Sequence, residues 1–223
     1  MSPTGLEPPL TEQAEDIDRV WNGFLAAGVV VGLLVFALLV YVMIRFRRRS
    51  ATLPRQRREH IPLEITYTLL PLVIVAGLFG VTFGSLQALD EAGDEPDVTV
   101  EVVGFQWQWQ FDYPASGVSV VGTEAERPVL VLPASSTVQF RLSSIDVIHS
   151  FWIPGFRYKR DVFPNQTQVF QVDVGPRTGD FPNRGICAEF CGLDHHKMRF
   201  DVRVVTPEDF TSWEQQQLEE ADQ

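Results

Sequence analysis

Cysteine is scarce in this chain: two residues among 223, Cys187 and Cys191, both inside one stretch of twelve. No C-x-x-C-H occurs, which argues against a fused c-type haem domain. Histidine is nearly as rare. Four are present and none falls within the long apolar runs, so the chain alone cannot ligate a haem inside a membrane. The first twenty residues, MSPTGLEPPLTEQAEDIDRV, are acidic and lack the basic start and cleavage site of a signal peptide, so the apolar run that follows is expected to be retained. Internal repeats and low-complexity tracts are absent. With a net charge of −11, no nucleic-acid partner is expected.

What is present begins with two uncharged stretches. Trp21 to Ile44 gives 24 residues without a charge, enough at about 1.5 Å per residue to cross a hydrocarbon core of about 30 Å. Ile65 to Leu89 is the second, and its internal Pro71 is tolerable because neighbouring groups in a membrane can satisfy the freed carbonyl. The connection, residues 45–64, holds Arg45, Arg47, Arg48, Arg49, Arg55, Arg57 and Arg58, seven of the 18 basic residues, and is cytoplasmic by the positive-inside rule. Both termini then lie on the outer side. The exported remainder has 11 basic against 27 acidic residues, a balance suited to a basic partner. The expected layout is an exported segment at 1–20, a membrane hairpin at 21–89 with spans 21–44 and 65–89, and an exported domain at 90–223.

Beyond the acidic linker DEAGDEPD the pattern changes to alternation. Val138, Phe140 and Leu142 alternate with Gln139 and Arg141; Phe170, Val172 and Val174 with Gln171 and Asp173; Phe200, Val202 and Val204 with Asp201 and Arg203. Each such strand has one buried and one wet face. With VTVEVVGFQWQWQF read as one further strand and PVLVLP as another, at least five strands predict a compact sandwich or Greek-key barrel. A C-terminal helix follows, with Thr206 as its cap, Pro207 in its first turn and Glu208 and Asp209 at its positive end.

The chemistry concentrates in CAEFCGLDHHKM, Cys187 to Met198. In an oxidising compartment the simplest account of two cysteines is one structural disulfide. His195 four residues after Cys191, and Met198 three after His195, argue instead for a metal: thiolate, imidazole and thioether together select copper over hard cations. Zinc would not use the methionine, and HH at 195 and 196 does not fit zinc-pair spacing. A mononuclear blue-copper site needs an upstream histidine, and His149 in DVIHSFWIP is the sole exported histidine outside the loop. The second cysteine exceeds that site's needs. Two thiolates, two imidazoles, a thioether and a backbone carbonyl would satisfy two copper ions sharing both sulfurs.

On these residues the chain resembles subunit II of the haem-copper cytochrome c oxidases. The likeness covers nearly the whole length, and the pattern C-x-E-x-C-G-x-x-H-x-x-M is met by Cys187, Glu189, Cys191, Gly192, His195 and Met198. It implies a two-helix transmembrane hairpin followed by an all-β cupredoxin-like Greek-key barrel domain with a C-terminal helix, in a bacterial plasma membrane. It implies a binuclear copper A centre held by His149, Cys187, the Glu189 backbone carbonyl, Cys191, His195 and Met198. The Glu189 side chain is similar to the family's ligand for a magnesium ion shared with subunit I. The further implications are a cytochrome c donor, subunit I and other oxidase subunits as partners, and haem only in the partner, where oxygen is reduced with proton translocation. His196 matches nothing and reads as a surface residue.

Two more stretches resemble functional parts of that family. GFQWQWQFDY is similar to the aromatic segment that receives electrons, with Trp107 at the receiving position and Trp109 second; Phe105 and Gln108 stand where the family commonly has His and Tyr. Glu64, seven residues before Pro71, matches the family's glutamate at the mouth of a proton path, although a carboxylate at a helix start is equally served by the helix dipole. Two rivals are set aside. A copper-delivery chaperone would have one span and a thioredoxin-like α/β domain. A quinol-oxidase subunit of the same architecture would lack the copper ligands.

Overall fold

The structure, a computed structural model, describes residues 8–48, 58–90, 95–123 and 125–221. Part of the N-terminal stretch, Arg49, Arg55 and Arg57 of the basic connection, and residues 91–94 of the acidic linker lie outside the described residues. Two compact units are present. One takes in Ile17–Ala88, the other the described part of Met1–Asp16 with Leu89–Gln223.

The first unit is built from α1 (Glu12–Arg45) from Ile17 onward and α2 (Ile61–Asp90) as far as Ala88, and both helices are long and apolar enough to cross a membrane. Each runs past the uncharged stretch that announced it. α1 starts nine residues before Trp21 because Thr11 caps it, its Oγ1 accepting from Ala14 N at 3.1 Å, and because Glu12 and Glu15 favour a helix N-terminus. At the start of α2, the Glu64 carboxylate reaches back to accept from the His60 backbone N–H at 2.9 Å. Pro71 sits inside the helix without ending it.

The second unit is a two-sheet sandwich. One sheet orders as β3 (Val118–Val121), β2 (Gln108–Tyr113), β1 (Val98–Phe105), β5 (Ser136–Ser144) and β8 (Gln168–Val174). The other orders as β4 (Val129–Pro133), β10 (Arg199–Val205), β9 (Gly179–Cys187), β6 (His149–Ile153) and β7 (Tyr158–Val162), and α3 (Pro207–Ala221) closes the chain. The alternating residues meet between the sheets: Val100, Val102, Phe111 and Phe140 on one side, Leu130, Phe151, Phe200 and Val202 on the other, all buried. Aromatic contacts join them, with Phe151 stacked on Phe200 at 5.1 Å and Trp109 edge-on to both at 5.8 Å.

One expectation is corrected here. VTVEVVGFQWQWQF is not a single strand but an antiparallel hairpin, turning at Gln106 and Trp107, with Gly104 opposite Trp109. Uniform alternation hid the turn, because neither Gln106 nor Trp107 is a turn-forming residue type. Trp107 and Trp109 therefore do not share a strand face. Trp109 is fully buried, and Trp107 lies half-buried in the turn.

The sequence separates residues 1–20 from the β domain, whereas the described N-terminal residues pack on it. Leu10 N donates to Gly155 O and Gly175 N to Leu10 O, both at 2.9 Å, and Gln13 exchanges two hydrogen bonds with Asp173. A Cβ on Gly155 would lie 2.7 Å from the buried Leu10 side chain, so glycine is needed there.

Tyr113 links the two sheets. Its buried hydroxyl donates to Val131 O at 2.9 Å and accepts from Val131 N at 3.0 Å, while burial pushes its pKa up. Tyr113→Phe strands both main-chain groups and is expected to lower stability by about 1–3 kcal/mol, read as a lower thermal midpoint of the detergent-solubilised chain. An unchanged midpoint would mean that water replaces the hydroxyl.

Candidate metal centre

The centre forms where three segments meet. β6 pairs with β9 so that Phe151 lies opposite Cys187, which puts His149, at the start of β6, beside the Cys187 sulfur. The loop from Cys187 to Met198 leaves β9 and returns to β10, and its ends are closed by Cys187 N donating to Met198 O at 3.0 Å. Its start is tied to β6 by Ala188 N donating to Ser150 O at 2.9 Å. Tight turns shape the rest: His195 N donates to Gly192 O at 3.3 Å, and Met198 N to His195 O at 3.2 Å. Spacings of four and three residues thereby bring Cys191, His195 and Met198 to one place.

Both thiols are free and buried, with their sulfurs 3.8 Å apart. Cys187 Sγ is 3.2 Å from Glu189 O and 3.9 Å from His149 Nδ1. Cys191 Sγ is 3.6 Å from His195 Nδ1 and 3.7 Å from Met198 Sδ. The donor atoms of His149, Cys187 and Cys191 all lie within 4.8 Å of one another. His149 and Met198 are fully buried. His196 is exposed, and Glu64 belongs to the helical unit. The disulfide account of the cysteines has no support in this geometry.

Electrostatics prepare the thiols unequally. Burial raises the Cys187 thiol, but bonds with His149 and nearby main-chain groups outweigh it and bring the pKa down to about 7. Burial and repulsion from Cys187 push Cys191 up to about 12. Cys187 is thus the readier of the two to lose its proton, and an arriving cation would displace the other.

Three residues that sequence reasoning passed over complete the surroundings. Asp146 Oδ1 lies 2.8 Å from His149 Nε2, fixing the ring so that Nδ1 faces the sulfurs. Burial raises the Asp146 carboxyl, yet bonds from His149, Val147 N and Gln106 N prevail and hold it below the usual carboxylate range. His149 is lowered by burial and raised more strongly by Cys187 and Asp146, so its net shift is upward. Gly104 forms the floor under the ring, since a Cβ there would lie 3.1 Å from His149 Cδ2 and 3.2 Å from Trp109 Cζ3. Gln106 and Trp107 both donate to Cys191 O, at 2.7 Å and 3.3 Å. Of these, Asp146 had a readable signal, a carboxylate three residues before a candidate metal histidine.

The donor set fits copper. Two thiols, a thioether and imidazoles are soft to borderline ligands that hard cations do not favour, and methionine argues against zinc. Residues 98–205 match the family described as cytochrome C oxidase subunit II, periplasmic domain, and residues 3–87 its transmembrane domain. The chain belongs to the cytochrome c oxidase subunit II family. Its helices correspond to that family's membrane part and its sandwich to the periplasmic part. A probable cytochrome c oxidase subunit 2 of Streptomyces avermitilis is 40% identical, over 92% of this chain and 76% of that one. A cytochrome c oxidase subunit 2 of Mycobacterium bovis is 31% identical, over 94% and 74%. The crystal structure of the periplasmic domain of subunit II of cytochrome oxidase from Bradyrhizobium japonicum superposes with a TM-score of 0.51 at 28% identity, covering 56% of this chain and 96% of that one. As a subunit II, this chain is part of a cytochrome c oxidase and serves oxidoreductase chemistry.

Proposed function

We propose that the cluster holds two copper ions as a copper A centre, and that through it the chain takes electrons from a cytochrome c and passes them to haem in subunit I, where oxygen is reduced. The observation that carries this reading is the pair of free sulfurs at 3.8 Å, each with its own further donors: Glu189 O and His149 beside Cys187, His195 and Met198 beside Cys191. Six donors exceed what one ion takes in a mononuclear copper site, and the two thiolates lie between the flanking groups. Bound there, the copper pair would supply a centre that takes and gives one electron at a time.

The chain's own residues do the rest. Asp146 holds His149 in one ring orientation, and burial of His149, Met198 and both thiols keeps water away from the donors. Trp107, half-buried and bonded to Cys191 O, suits the receiving end of that path. Glu189 turns its carbonyl to Cys187 while the residue as a whole is exposed, which suits a side chain that ligates magnesium at the contact with subunit I. The arginine-rich connection between two apolar helices supports a bacterial plasma-membrane chain whose termini and copper domain face outward. A copper-delivery chaperone fits poorly, because the exported unit is two β-sheets rather than an α/β thioredoxin-like layer.

Metal analysis and an electron paramagnetic spectrum of the full chain test the reading. Two coppers sharing one unpaired electron are expected; a single copper, or preferential zinc, would overturn it. Glu64 carries a separate expectation. As a proton-path residue that belongs to the helical unit and contributes no donor to the cluster, Glu64→Ala is expected to slow oxidase turnover with the copper spectrum intact, and Glu64→Asp to restore part of the rate. Parental turnover in an assembled Glu64→Ala oxidase would leave Glu64 only its bond to the His60 N–H.

A further inference from the structure

Gln106 bonds to both sides of the donor cluster. Its side-chain amide donates to Cys191 O at 2.7 Å, the same oxygen that accepts the Trp107 indole N–H at 3.3 Å. Only the NH₂ end of the amide can make that bond, since a carbonyl offers no proton. Its main-chain N–H donates to Asp146 Oδ2 at 2.6 Å, and the other oxygen of that carboxylate meets His149 Nε2 at 2.8 Å. Gly192, at φ +123°, makes room for the contact: a Cβ there would lie 3.0 Å from Gln106 Nε2 and 3.2 Å from Trp107 Nε1. The β1–β2 turn is thus fastened to the ligand loop at Cys191 and, through Asp146, to the upstream ligand.

We infer that Gln106 is a positioning residue that sets the distance between the Trp107 ring and the metal donors. The inference rests on Trp107 as the point where electrons arrive. Trp107 has one long hydrogen bond of its own, whereas Gln106 makes a shorter bond to the same oxygen from the adjacent residue and so limits how far the turn can lift. Transfer between redox partners weakens steeply with each ångström of separation, and a half-buried ring in a turn needs such a restraint when a partner docks. Asp146 serves both attachments, which couples the turn to the ring orientation of His149.

Gln106→Met tests this, because it keeps the side chain's length and removes the donor. The full chain in its oxidase is compared with Trp107→Ala and the double variant. Metal content and the copper spectrum are expected to hold. The Trp107 indole proton, assigned by its loss in Trp107→Phe, is expected to exchange faster with solvent by NMR in Gln106→Met. Reduction at saturating donor is expected to slow about tenfold, the scale on which outer-shell partners act. The double variant is expected to be no slower than Trp107→Ala, since Gln106 acts through that ring. Unchanged indole exchange in Gln106→Met overturns the inference, as does an additive double variant. If Trp107→Ala is slow while Gln106→Met matches the parent, positioning by Gln106 fails and the role of Trp107 stands. If Trp107→Ala matches the parent, it is the role of Trp107 that fails, and the exchange measurement alone decides whether Gln106 holds the ring.

Discussion

Cys187→Ser and Cys191→Ser are each expected to abolish the paired copper centre. A serine hydroxyl is a hard, weakly acidic donor that stays protonated at neutral pH, whereas bonds with His149 and nearby main-chain groups hold the thiol it replaces at position 187 below the usual thiol range. It can neither match the softness of sulfur nor bridge two ions. The loss reaches beyond one ligand bond, because each sulfur stands next to a different set of donors, His149 and Glu189 O for Cys187, His195 and Met198 for Cys191. Removing either sulfur leaves those neighbours without the atom that joins the two halves. The fold is expected to survive, because the bonds closing the loop, Cys187 N to Met198 O and Ala188 N to Ser150 O, are main-chain bonds that neither substitution touches. Circular dichroism checks that, and metal analysis with electron paramagnetic resonance checks the centre. Parental copper content and turnover in either variant would mean that the sulfurs are not ligands.

How much of this was readable in the sequence depended on range. The clustering of soft donors was, because Cys187, Cys191, His195 and Met198 fall within twelve residues and their chemistry is local. His149 followed by elimination among four histidines. The sandwich could be anticipated from strands with clean alternation, β5, β8 and β10, each with one wet face. β6 was harder: His149, Ser150, Phe151 and Ile153 are all buried, so no alternation marks it. The hairpin at Gln106 and Trp107 was invisible, since aromatic and glutamine residues continue the strand pattern straight through the turn. The surroundings of the site escaped for a different reason. Gln106 meets Asp146 across 40 residues and Cys191 across 85, and no pattern in the chain signals either pairing. The docking of Leu10 and Gln13 on the β unit is likewise long-range, with Gln13 and Asp173 160 residues apart.

Trp107→Ala is expected to keep two coppers bound and yet slow reduction by the cytochrome donor severely. Trp107 supplies no ligand; its indole N–H donates to Cys191 O, and its half-buried ring packs at the edge of the core, where its removal leaves the donors in place. On the proposed reading, the route from the protein surface to the donor loop is what disappears. A second effect must be separated from this, because a large aromatic at an interface is often an anchor whose truncation costs about 2 kcal/mol or more in binding. Donor concentration separates them: a docking defect recovers at saturating donor, and a lost route does not. Salt acts on the first far more than on the second, since docking between charged surfaces is screened by ions. Trp109→Phe is the control. That ring is fully buried and its indole nitrogen has no partner among the described residues, so phenylalanine removes packing but no hydrogen bond and is expected to act mainly on stability. If Trp107→Ala is reduced as fast as the parent at every donor concentration, electrons reach the metal by another path, and the neighbouring Phe105 and Gln108 are the first positions to substitute next.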